Sequence, residues 1–413
     1  LHPESPRQFH TISPMRSAMT SAIVSAVVTS PTTPSAQPSE SKDKAHHNRS
    51  GKGFVNPWPS YRDLTPWKII TQMIRLRLTG KWNSPDTTPP TVPVHRPNFL
   101  PTRDTTSLRA TWLGHACYLV EFPGGFRVLF DPVFTPRCSP FSFLGPKRYT
   151  EAPCRISDIP FIDAVIISHN HYDHLSTSSV QEIANKHPNV HFFVPLGNKP
   201  WFVSLGIQNA TELDWWEEST ITLSATGDDH LAVEGSSDPH RRSNDIMATI
   251  GCLPSQHTSA RTPFDKTHTL WGSWSVTSGG KKVWFGGDTG YRAVPEMPAD
   301  VFDYSEEFAH LPHCPAFAQI GEHRGPFDLG LIPIGAYDPR FIMSSMHANG
   351  FDAVNIFSDT RCKRALGIHW GTWVLTIEDV MEPPRLLKRA LTWRGFEEEG
   401  VFDVSDIGES KEY

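Results

Sequence analysis

The stretch that decides the interpretation of this chain is Ser168-His169-Asn170-His171-Tyr172-Asp173-His174, in which three imidazoles and a carboxylate fall within six positions. The residues before it, Asp163-Ala164-Val165-Ile166-Ile167, form a short, apolar and β-branched run that is typical of a buried strand. The histidines therefore follow the end of a strand on a tight loop. Imidazole nitrogens and carboxylate oxygens are ligands that Zn²⁺ accepts in proteins, so the sequence predicts a metal site.

The spacing within this loop predicts two metal ions rather than one. The alternate positions His169 and His171 can point the same way and bind one ion, whereas Asp173 and His174 lie beyond the bend and can face a second. The alternative is a polar loop that happens to be rich in histidine. That alternative is disfavoured because a chance cluster would not also follow a strand.

Further ligands come from three later positions. His257 stands in a polar segment, Asp288 follows the apolar run 283–286 and its glycines, and His369 follows the apolar run 366–368. Taken alone, each residue is more often part of a turn or a satisfied core residue. In this order behind the histidine-rich loop, they complete a predicted set of seven ligands: His169, His171, Asp173, His174, His257, Asp288 and His369.

This ligand pattern resembles the metallo-β-lactamase superfamily of dinuclear hydrolases. Further motifs resemble one branch, the N-acylphosphatidylethanolamine-hydrolysing phospholipase D family, from about Phe54 to about Arg394. They include Trp112-Leu113-Gly114-His115-Ala116, Phe130-Asp131-Pro132-Val133-Phe134, Phe143-Leu144-Gly145-Pro146-Lys147-Arg148, Gly287-Asp288-Thr289-Gly290-Tyr291 and His369-Trp370-Gly371-Thr372. The chain departs from the family pattern at Cys117, at Thr258-Ser259 after His257, and in an inserted stretch from Thr226 to Asn244.

The fold class expected is α/β. The resemblance implies a metallo-β-lactamase αββα sandwich, in which two β-sheets pack face to face, helices lie outside, and the metal site sits where strand ends meet. The sequence pattern alone predicts strands near 109–113, 117–122, 127–131, 163–168, 191–195, 274–278, 282–286, 328–334 and 365–369. It predicts helices near 176–187, 347–358 and 383–393.

The resemblance also implies an activity, namely a zinc-dependent phosphodiesterase of phospholipase D type with two Zn²⁺ per chain. The enzyme would hydrolyse N-acylphosphatidylethanolamine to an N-acylethanolamine and phosphatidic acid by attack of a metal-bridging hydroxide. The family pattern places His169, His171 and His257 on one ion and Asp173, His174 and His369 on the other, with Asp288 as the bridge. His347 matches an active-site histidine that is not a ligand, and the residues assigned to catalysis are Asp173, Asp288 and His347.

Two alternatives remain open at this point. The same metals could serve the hydrolysis of another phosphodiester or of a lactone. A metal-stabilised scaffold without turnover is the alternative outside enzymes, and the bridging Asp288 and the spare His347 argue against it.

Composition limits the partners and the compartment. The 413 residues carry 38 basic and 44 acidic side chains, which argues against a nucleic-acid partner. A run of about 18 apolar residues, the length needed to span a bilayer, does not occur in the sequence. The six cysteines show no CxxC spacing, so we expect reduced thiols in an intracellular compartment.

The N-terminal part of the chain differs in composition from the rest. Residues 1–53, rich in Ser, Thr, Pro and Ala, are predicted to form a disordered tail, and residues 54–413 the hydrolase domain. The low acidity of the tail, together with Arg7 and Arg16, makes a mitochondrial targeting segment the alternative to plain disorder.

Two segments combine apolar and basic side chains and predict peripheral association with a membrane that holds the phospholipid substrate. The first is a helix from Thr65 to Gly80, on which Trp67, Ile70, Met73 and Ile74 share a face beside Lys68, Arg75 and Arg77. The second is the loop with Phe141, Phe143 and Leu144 beside Lys147 and Arg148. The alternative is that both segments are packed against the domain. The resemblance further implies a homodimer.

Overall fold

The structure is a computed structural model that describes residues 23–225, 245–298 and 301–413. The first 22 residues of the predicted tail, with Arg7 and Arg16, and the inserted stretch from Thr226 to Asn244 lie outside the described residues. The described strands, in chain order, are β1 (Ile23–Val28), β2 (Arg109–Trp112), β3 (Tyr118–Glu121), β4 (Arg127–Phe130), β5 (Ala164–Ile166), β6 (His191–Pro195), β7 (Ala210–Leu213), β8 (Glu218–Ala225), β9 (Ile246–Leu253), β10 (Ser273–Ser278), β11 (Lys281–Phe285), β12 (Leu329–Pro333), β13 (Ala365–Ile368), β14 (Phe402–Asp403) and β15 (Ser410–Glu412).

The described helices are α1 (Pro66–Leu78), α2 (Thr177–Lys186), α3 (Lys199–Ser204), α4 (Ala316–His323), α5 (Arg340–Met343), α6 (Gly350–Asp359) and α7 (Glu382–Arg394). Three short 3₁₀ turns cover Ser39–Asp43, Ile156–Asp158 and Glu306–Phe308.

The strands form two mixed sheets. One has the order β15-β2-β3-β4-β5-β6-β7, antiparallel up to β4 and parallel from β4 to β7. The other has the order β1-β8-β9-β10-β11-β12-β13-β14, antiparallel up to β11 and parallel beyond it. In each sheet, parallel strands bring their carboxyl ends to one edge, which is where side chains for a site can converge.

The core between the sheets is rich in aromatic side chains. Trp112, Trp271, Trp274 and Trp284 are fully buried, and the rings of Phe130 and Phe285 meet across the sandwich with centroids 4.6 Å apart. Such large apolar side chains stabilise the sandwich by removing apolar area from water. The two sheets therefore form one rigid support for the loops at their shared edge.

Helices cover the outer faces. Val180 and Ile183 of α2 and Phe202 of α3 pack with Val165 and Phe192 of the seven-stranded sheet. On the other side α6 contacts β12, and α4 and α7 contact α6. This arrangement confirms the predicted αββα sandwich.

The predicted elements are confirmed, and each strand or helix expected from the pattern overlaps an observed one. The helix expected near 347–358 begins at Gly350, because the Asn349 side chain accepts the N–H of Asp352 at 2.9 Å and the Asp352 side chain returns to Asn349. The helix expected from Thr65 to Gly80 is α1, with Thr65 as its N-cap.

The predicted tail needs a correction, because residues 23–53 belong to the folded domain. Strand β1, the apolar run Ile23–Val28, pairs antiparallel with β8 through backbone hydrogen bonds. Further along, the buried carboxylate of Asp214 accepts hydrogen bonds from His46 at 2.6 Å and His47 at 2.8 Å, and it pairs with Lys44 at 2.9 Å. A polar segment is thus held by polar contacts, which apolar periodicity could not reveal.

Candidate metal centre

The predicted ligands converge from four places at the shared edge of the two sheets. The loop after β5 carries four of them, and β9, β11 and β13 are each followed within four residues by one more. His169, His174, His257, Asp288 and His369 are buried, while His171 and Asp173 keep partial exposure. The structure therefore brings all seven predicted ligands together.

Three imidazoles form the first group of donor atoms, which we call the imidazole triad: His169, His171 and His257. His169 Nε2 lies 2.8 Å from His171 Nδ1, and His257 Nε2 lies 3.3 Å from the same atom. Three donor nitrogens facing one point are suited to a single cation.

The second group, which we call the carboxylate triad, consists of Asp173, His174 and His369. Asp173 Oδ2 lies 3.3 Å from His174 Nε2 and 3.4 Å from His369 Nε2. A fourth side chain joins this group, because His115 Nε2 lies 3.0 Å from Asp173 Oδ2. The side chain of His115 was not predicted as a site residue.

Asp288 lies between the two triads. Its Oδ1 is 3.0 Å from His369 Nε2, and its Oδ2 is 3.1 Å from His174 Nε2. The same Oδ2 is 3.8 Å from His169 Nε2 and 3.7 Å from His257 Nε2 in the imidazole triad. One carboxylate can thus face cations held by both triads.

Hydrogen bonds from outside the centre fix how the rings are turned. Asp131 Oδ2 accepts from His174 Nδ1 at 2.6 Å, and its two oxygens also accept from the hydroxyl and the N–H of Ser168 at 2.6 and 2.7 Å. His257 Nδ1 donates to the carbonyl of Met346 at 3.0 Å. A ring that donates through Nδ1 presents the lone pair of Nε2 to the centre, which orients a metal ligand.

Asp131 and His115 are the two site residues that sequence reasoning missed. Asp131 directly follows β4, as Asp288 follows β11, so its position after a strand was the available signal. His115 stands in the turn between β2 and β3 with a φ of 53°, and its ring lies 4.1 Å from that of His369. Both residues belong to motifs that carry the family resemblance, but neither lies within a spaced group of histidines, so neither was predicted as a site residue.

The donor set fits divalent cations. His174 Nε2, His369 Nε2, Asp288 Oδ1 and His347 Nδ1 are buried and have no hydrogen-bond partner among the described residues. Burying such an atom without a partner costs about 1–3 kcal/mol, and several gathered at one point are better explained by a ligand that they hold together. Nitrogen and carboxylate oxygen are the donors expected for zinc and similar ions.

The electrostatics of the two triads differ. Burial, aided by neighbouring imidazoles, holds the pKa of His169 well below its usual value, and burial also lowers those of His171 and His257. Burial opposes charge on His369 too, but the carboxylates of Asp288 and Asp173 outweigh it and raise the pKa of His369 to about 9.

The other imidazole of the carboxylate triad behaves in the same way. Burial would lower the pKa of His174, yet Asp288, Asp173 and Asp131 raise it well above the usual value. The pKa values of Asp173 and Asp288 lie well below the usual range because the neighbouring imidazoles outweigh burial. The carboxylate triad therefore holds negative charge that a proton or a metal cation must balance.

His347 stands at the rim of the centre. Its Nδ1 is 3.9 Å from Asp288 Oδ2, and its ring lies 5.1 Å from that of His257 and 5.2 Å from that of His369. Burial lowers the pKa of His347 to about 4, so the imidazole is neutral at pH 7. A neutral imidazole at this place can both accept and donate a hydrogen bond.

Comparison with known proteins identifies the relatives of this chain. Residues 126–304 match the Beta-lactamase superfamily domain. A relative from Caenorhabditis elegans, N-acyl-phosphatidylethanolamine-hydrolyzing phospholipase D 1, is 36% identical over 375 residues, which cover 87% of this chain and 92% of the relative. A Saccharomyces cerevisiae protein, N-acyl-phosphatidylethanolamine-hydrolyzing phospholipase D, mitochondrial, is 31% identical over 70% of this chain and 53% of its own length.

Solved structures with a partly similar backbone include the metallo hydrolase Igni18 from Ignicoccus hospitalis, which is 19% identical and has a TM-score of 0.47. The match covers 75% of this chain and 99% of that one. The Caenorhabditis elegans relative, 36% identical over 87% of this chain, shows the family. The chain belongs to the N-acyl-phosphatidylethanolamine-hydrolyzing phospholipase D family of the metallo-β-lactamase superfamily, and it is a metal-dependent hydrolase of phospholipase D type.

Proposed function

We propose that this enzyme hydrolyses N-acylphosphatidylethanolamine with two Zn²⁺ per chain, giving an N-acylethanolamine and phosphatidic acid. Water adds to phosphorus, the bond from phosphorus to the ethanolamine oxygen breaks, and the leaving oxygen takes up a proton. The observation that carries the proposal is the position of Asp288 between two triads, in a chain 36% identical to a relative named for this reaction.

The proposed ligand assignment follows the two triads. His169, His171 and His257 would hold one ion, Asp173, His174 and His369 the other, and Asp288 would be shared. Bound in this way, two cations would supply a nucleophile at neutral pH and neutralise the charge of a phosphodiester. The chain contributes the fixed ring orientations, through Asp131, Ser168 and the carbonyl of Met346.

We assign to His347 a role in handling the proton or the phosphate. Its Nδ1 has no hydrogen-bond partner among the described residues and points to the region beside Asp288. A neutral imidazole there can donate to a phosphoryl oxygen or pass a proton to the leaving alcohol. His347 is therefore proposed as a catalytic residue and not as a ligand.

Lipid products test the reaction itself. Metal-loaded enzyme would be incubated with vesicles of mixed phospholipids that include N-acylphosphatidylethanolamine, and the products would be measured by mass spectrometry. We expect N-acylethanolamine and phosphatidic acid in equal amounts, with Asp288→Asn as the inactive control. Release of a different alcohol, or hydrolysis of a lactone alone, would replace this proposal by the alternative hydrolase.

The docking surface that we propose consists of α1 and the loop 141–144. On α1 the side chain of Trp67 is 72% exposed and that of Leu78 83% exposed, and on the loop that of Phe143 is 77% exposed. Helix α1 contacts the domain through the buried Leu76 and through Arg75, which pairs with Glu296, whereas these apolar side chains remain exposed. Their exposure beside Lys68 and Arg77 favours contact with an anionic lipid surface over the alternative of packing.

One cation of the predicted patch has a different task. The Arg148 guanidinium lies 4.5 Å from the centre of the Trp373 ring and donates to the carbonyls of Thr135 and Val133. Arg148 is thus half-buried and holds the loop in place, which leaves Lys147 as the exposed cation. None of the helices in the described ranges is long and apolar enough to cross a bilayer.

The pair of substitutions Trp67→Asp and Phe143→Asp tests docking. We expect binding to anionic vesicles, and activity on them, to fall about 30-fold or more, since each of the two exposed apolar side chains contributes on the order of 1–2 kcal/mol when buried in lipid and about 1.4 kcal/mol is a factor of ten. Hydrolysis of a short-chain, water-soluble phosphodiester should not change, because neither residue contacts the metal centre. Vesicle binding equal to that of the parent would refute the docking surface. We also propose that the enzyme is a homodimer, which sedimentation of the lipid-free protein tests.

We propose further that the enzyme works inside the cell on a membrane surface.

A further inference from the structure

Arg261 links the two chain segments that supply the imidazole triad. It lies four residues after His257, on the loop that follows β9. Its side chain reaches from this loop to the loop after β5, where His169 and His171 stand. Within the described ranges the guanidinium has no salt-bridge partner, so the contacts described next define its role.

The guanidinium holds the histidine-rich loop by its backbone. Arg261 Nη1 donates to the carbonyl of Asn170 at 2.9 Å and to that of Leu175 at 2.9 Å. Asn170 stands between His169 and His171, and Leu175 directly follows His174. One group therefore ties together the two ends of the stretch that carries four proposed ligands.

The middle of the same loop is held by stacking. The centre of the Arg261 guanidinium lies 4.0 Å from the centre of the Tyr172 ring and 5.3 Å from that of Trp201 on α3. A planar guanidinium can stack on a ring and donate to carbonyls at the same time, whereas the ammonium of lysine has no plane to stack. The contact thus depends on arginine and not only on positive charge.

The base of the arginine is fixed as well. Asp265 Oδ1 accepts the backbone N–H of Arg261 at 3.0 Å and that of Thr262 at 2.7 Å, which closes a tight turn. The arginine is thus held both by its backbone N–H and by its guanidinium, and the planar guanidinium loses little entropy for each hydrogen bond that it makes. The two segments are therefore braced against each other at a fixed distance.

We propose that Arg261 is a positioning residue that holds the His169–His174 loop in its metal-binding shape and in register with His257. The proposal rests on the ligand assignment of the proposed function. It implies that Arg261 slows the escape of the ion from the imidazole triad, although it is not itself a ligand. Groups that orient ligands in this way typically change metal affinity by about 10–100-fold when they are altered.

The test compares metal release from the parent, Arg261→Lys and Arg261→Met after addition of a chromogenic chelator to metal-loaded enzyme. Arg103→Lys is the matched control, because Arg103 also stacks on a ring, that of Phe161 at 4.5 Å, and pairs with Asp163 at the opposite end of β5. We expect release about 10–100-fold faster in both Arg261 variants and unchanged in the control. Melting temperatures of all variants report general loss of stability.

Each outcome decides the proposal. Faster release in Arg261→Lys than in Arg103→Lys, at similar melting temperatures and with turnover restored by added Zn²⁺, supports it. Equal release from the parent and Arg261→Lys overturns it, and so does equal acceleration in Arg261→Lys and Arg103→Lys. If Arg261→Met does not fold, Arg261→Lys still decides. A parent enzyme that binds no metal would instead overturn the ligand assignment and with it this inference.

Discussion

The two triads of the metal centre differ in how they are prepared for a cation. The imidazole triad contains no carboxylate of its own, and burial lowers the pKa values of its rings, so they are unprotonated at neutral pH. The carboxylate triad contains Asp173, and the pKa values of its two rings are raised. The imidazole triad therefore offers neutral lone pairs to a cation, whereas in the carboxylate triad a cation must compete with protons for the negative charge.

A substitution at Asp288 should affect both triads at once and have the largest effect, because both triads share its carboxylate. Asp288→Asn removes the charge that would balance both ions, and we expect nearly all activity and much of the bound metal to be lost. Elemental analysis and a phosphodiesterase assay measure the two effects. Asp328→Asn, which affects a carboxylate paired with Lys363, is the control. An Asp288→Asn enzyme with full metal content would show that the centre has no shared carboxylate.

His347 belongs to neither triad, and its removal tests whether the two triads alone account for the bound metal. We expect His347→Ala to lower turnover about 100-fold, in the range of a lost acid–base group, and to leave metal content near that of the parent. Turnover and elemental analysis on the same preparation give both values. Loss of one ion from His347→Ala would make this residue a ligand and would change the assignment.

The dependence of metal binding on pH sharpens the contrast directly. His369 has a pKa of about 9, raised from about 6.5, so below pH 9 an incoming ion must displace its proton. Each displaced proton lowers the apparent affinity about tenfold per pH unit as the pH falls. In the imidazole triad burial lowers the pKa of each ring, so protons compete less with the ion there. Chelator competition should therefore show that, from pH 8 to pH 6, metal affinity falls more at the carboxylate triad than at the imidazole triad. An equal fall in affinity at both sites would contradict the contrast.

Asp131→Asn gives the smallest of these effects and separates the triads by structure. The substitution weakens the hydrogen bond to His174 Nδ1, and we expect about tenfold weaker binding in the carboxylate triad only. Calorimetric titration of the metal-free protein resolves the two sites. Equal weakening of both would mean that Ser168, which lies 2.9 Å from His169 Nδ1 and donates to Asp131, transmits the change.

Sequence reasoning located six of the seven ligands by local signals, because four share one short loop and Asp288 and His369 follow predicted apolar strands; His257 was identified by its order behind that loop. The parallel strands β5, β6, β12 and β13 were likewise predicted, since they are apolar runs, whereas the short strands β7 and β14 at the parallel ends of the sheets were not. Strand β8, in which Thr and Ser alternate with apolar residues, and its partner β9 were also missed. They flank a charged stretch of sequence, and their pairing with each other cannot be read from either segment alone. Asp131, His115 and Arg261 were missed for the same reason, since their roles depend on contacts between distant parts of the chain.

The pairing of β1 with β8 also decides which surface the larger sheet presents to other proteins. An unpaired strand of eight residues would expose a row of free N–H and C=O groups, which is a template for pairing with another chain. Strand β1 occupies that row over the positions from Val28 beside Ile221 to Ile23 beside Ala225. Strand β1, a part of the folded domain, thus makes a strand of six residues the edge of the sheet in place of the eight-residue β8, and cleavage after Val28 would expose the pairing groups of β8.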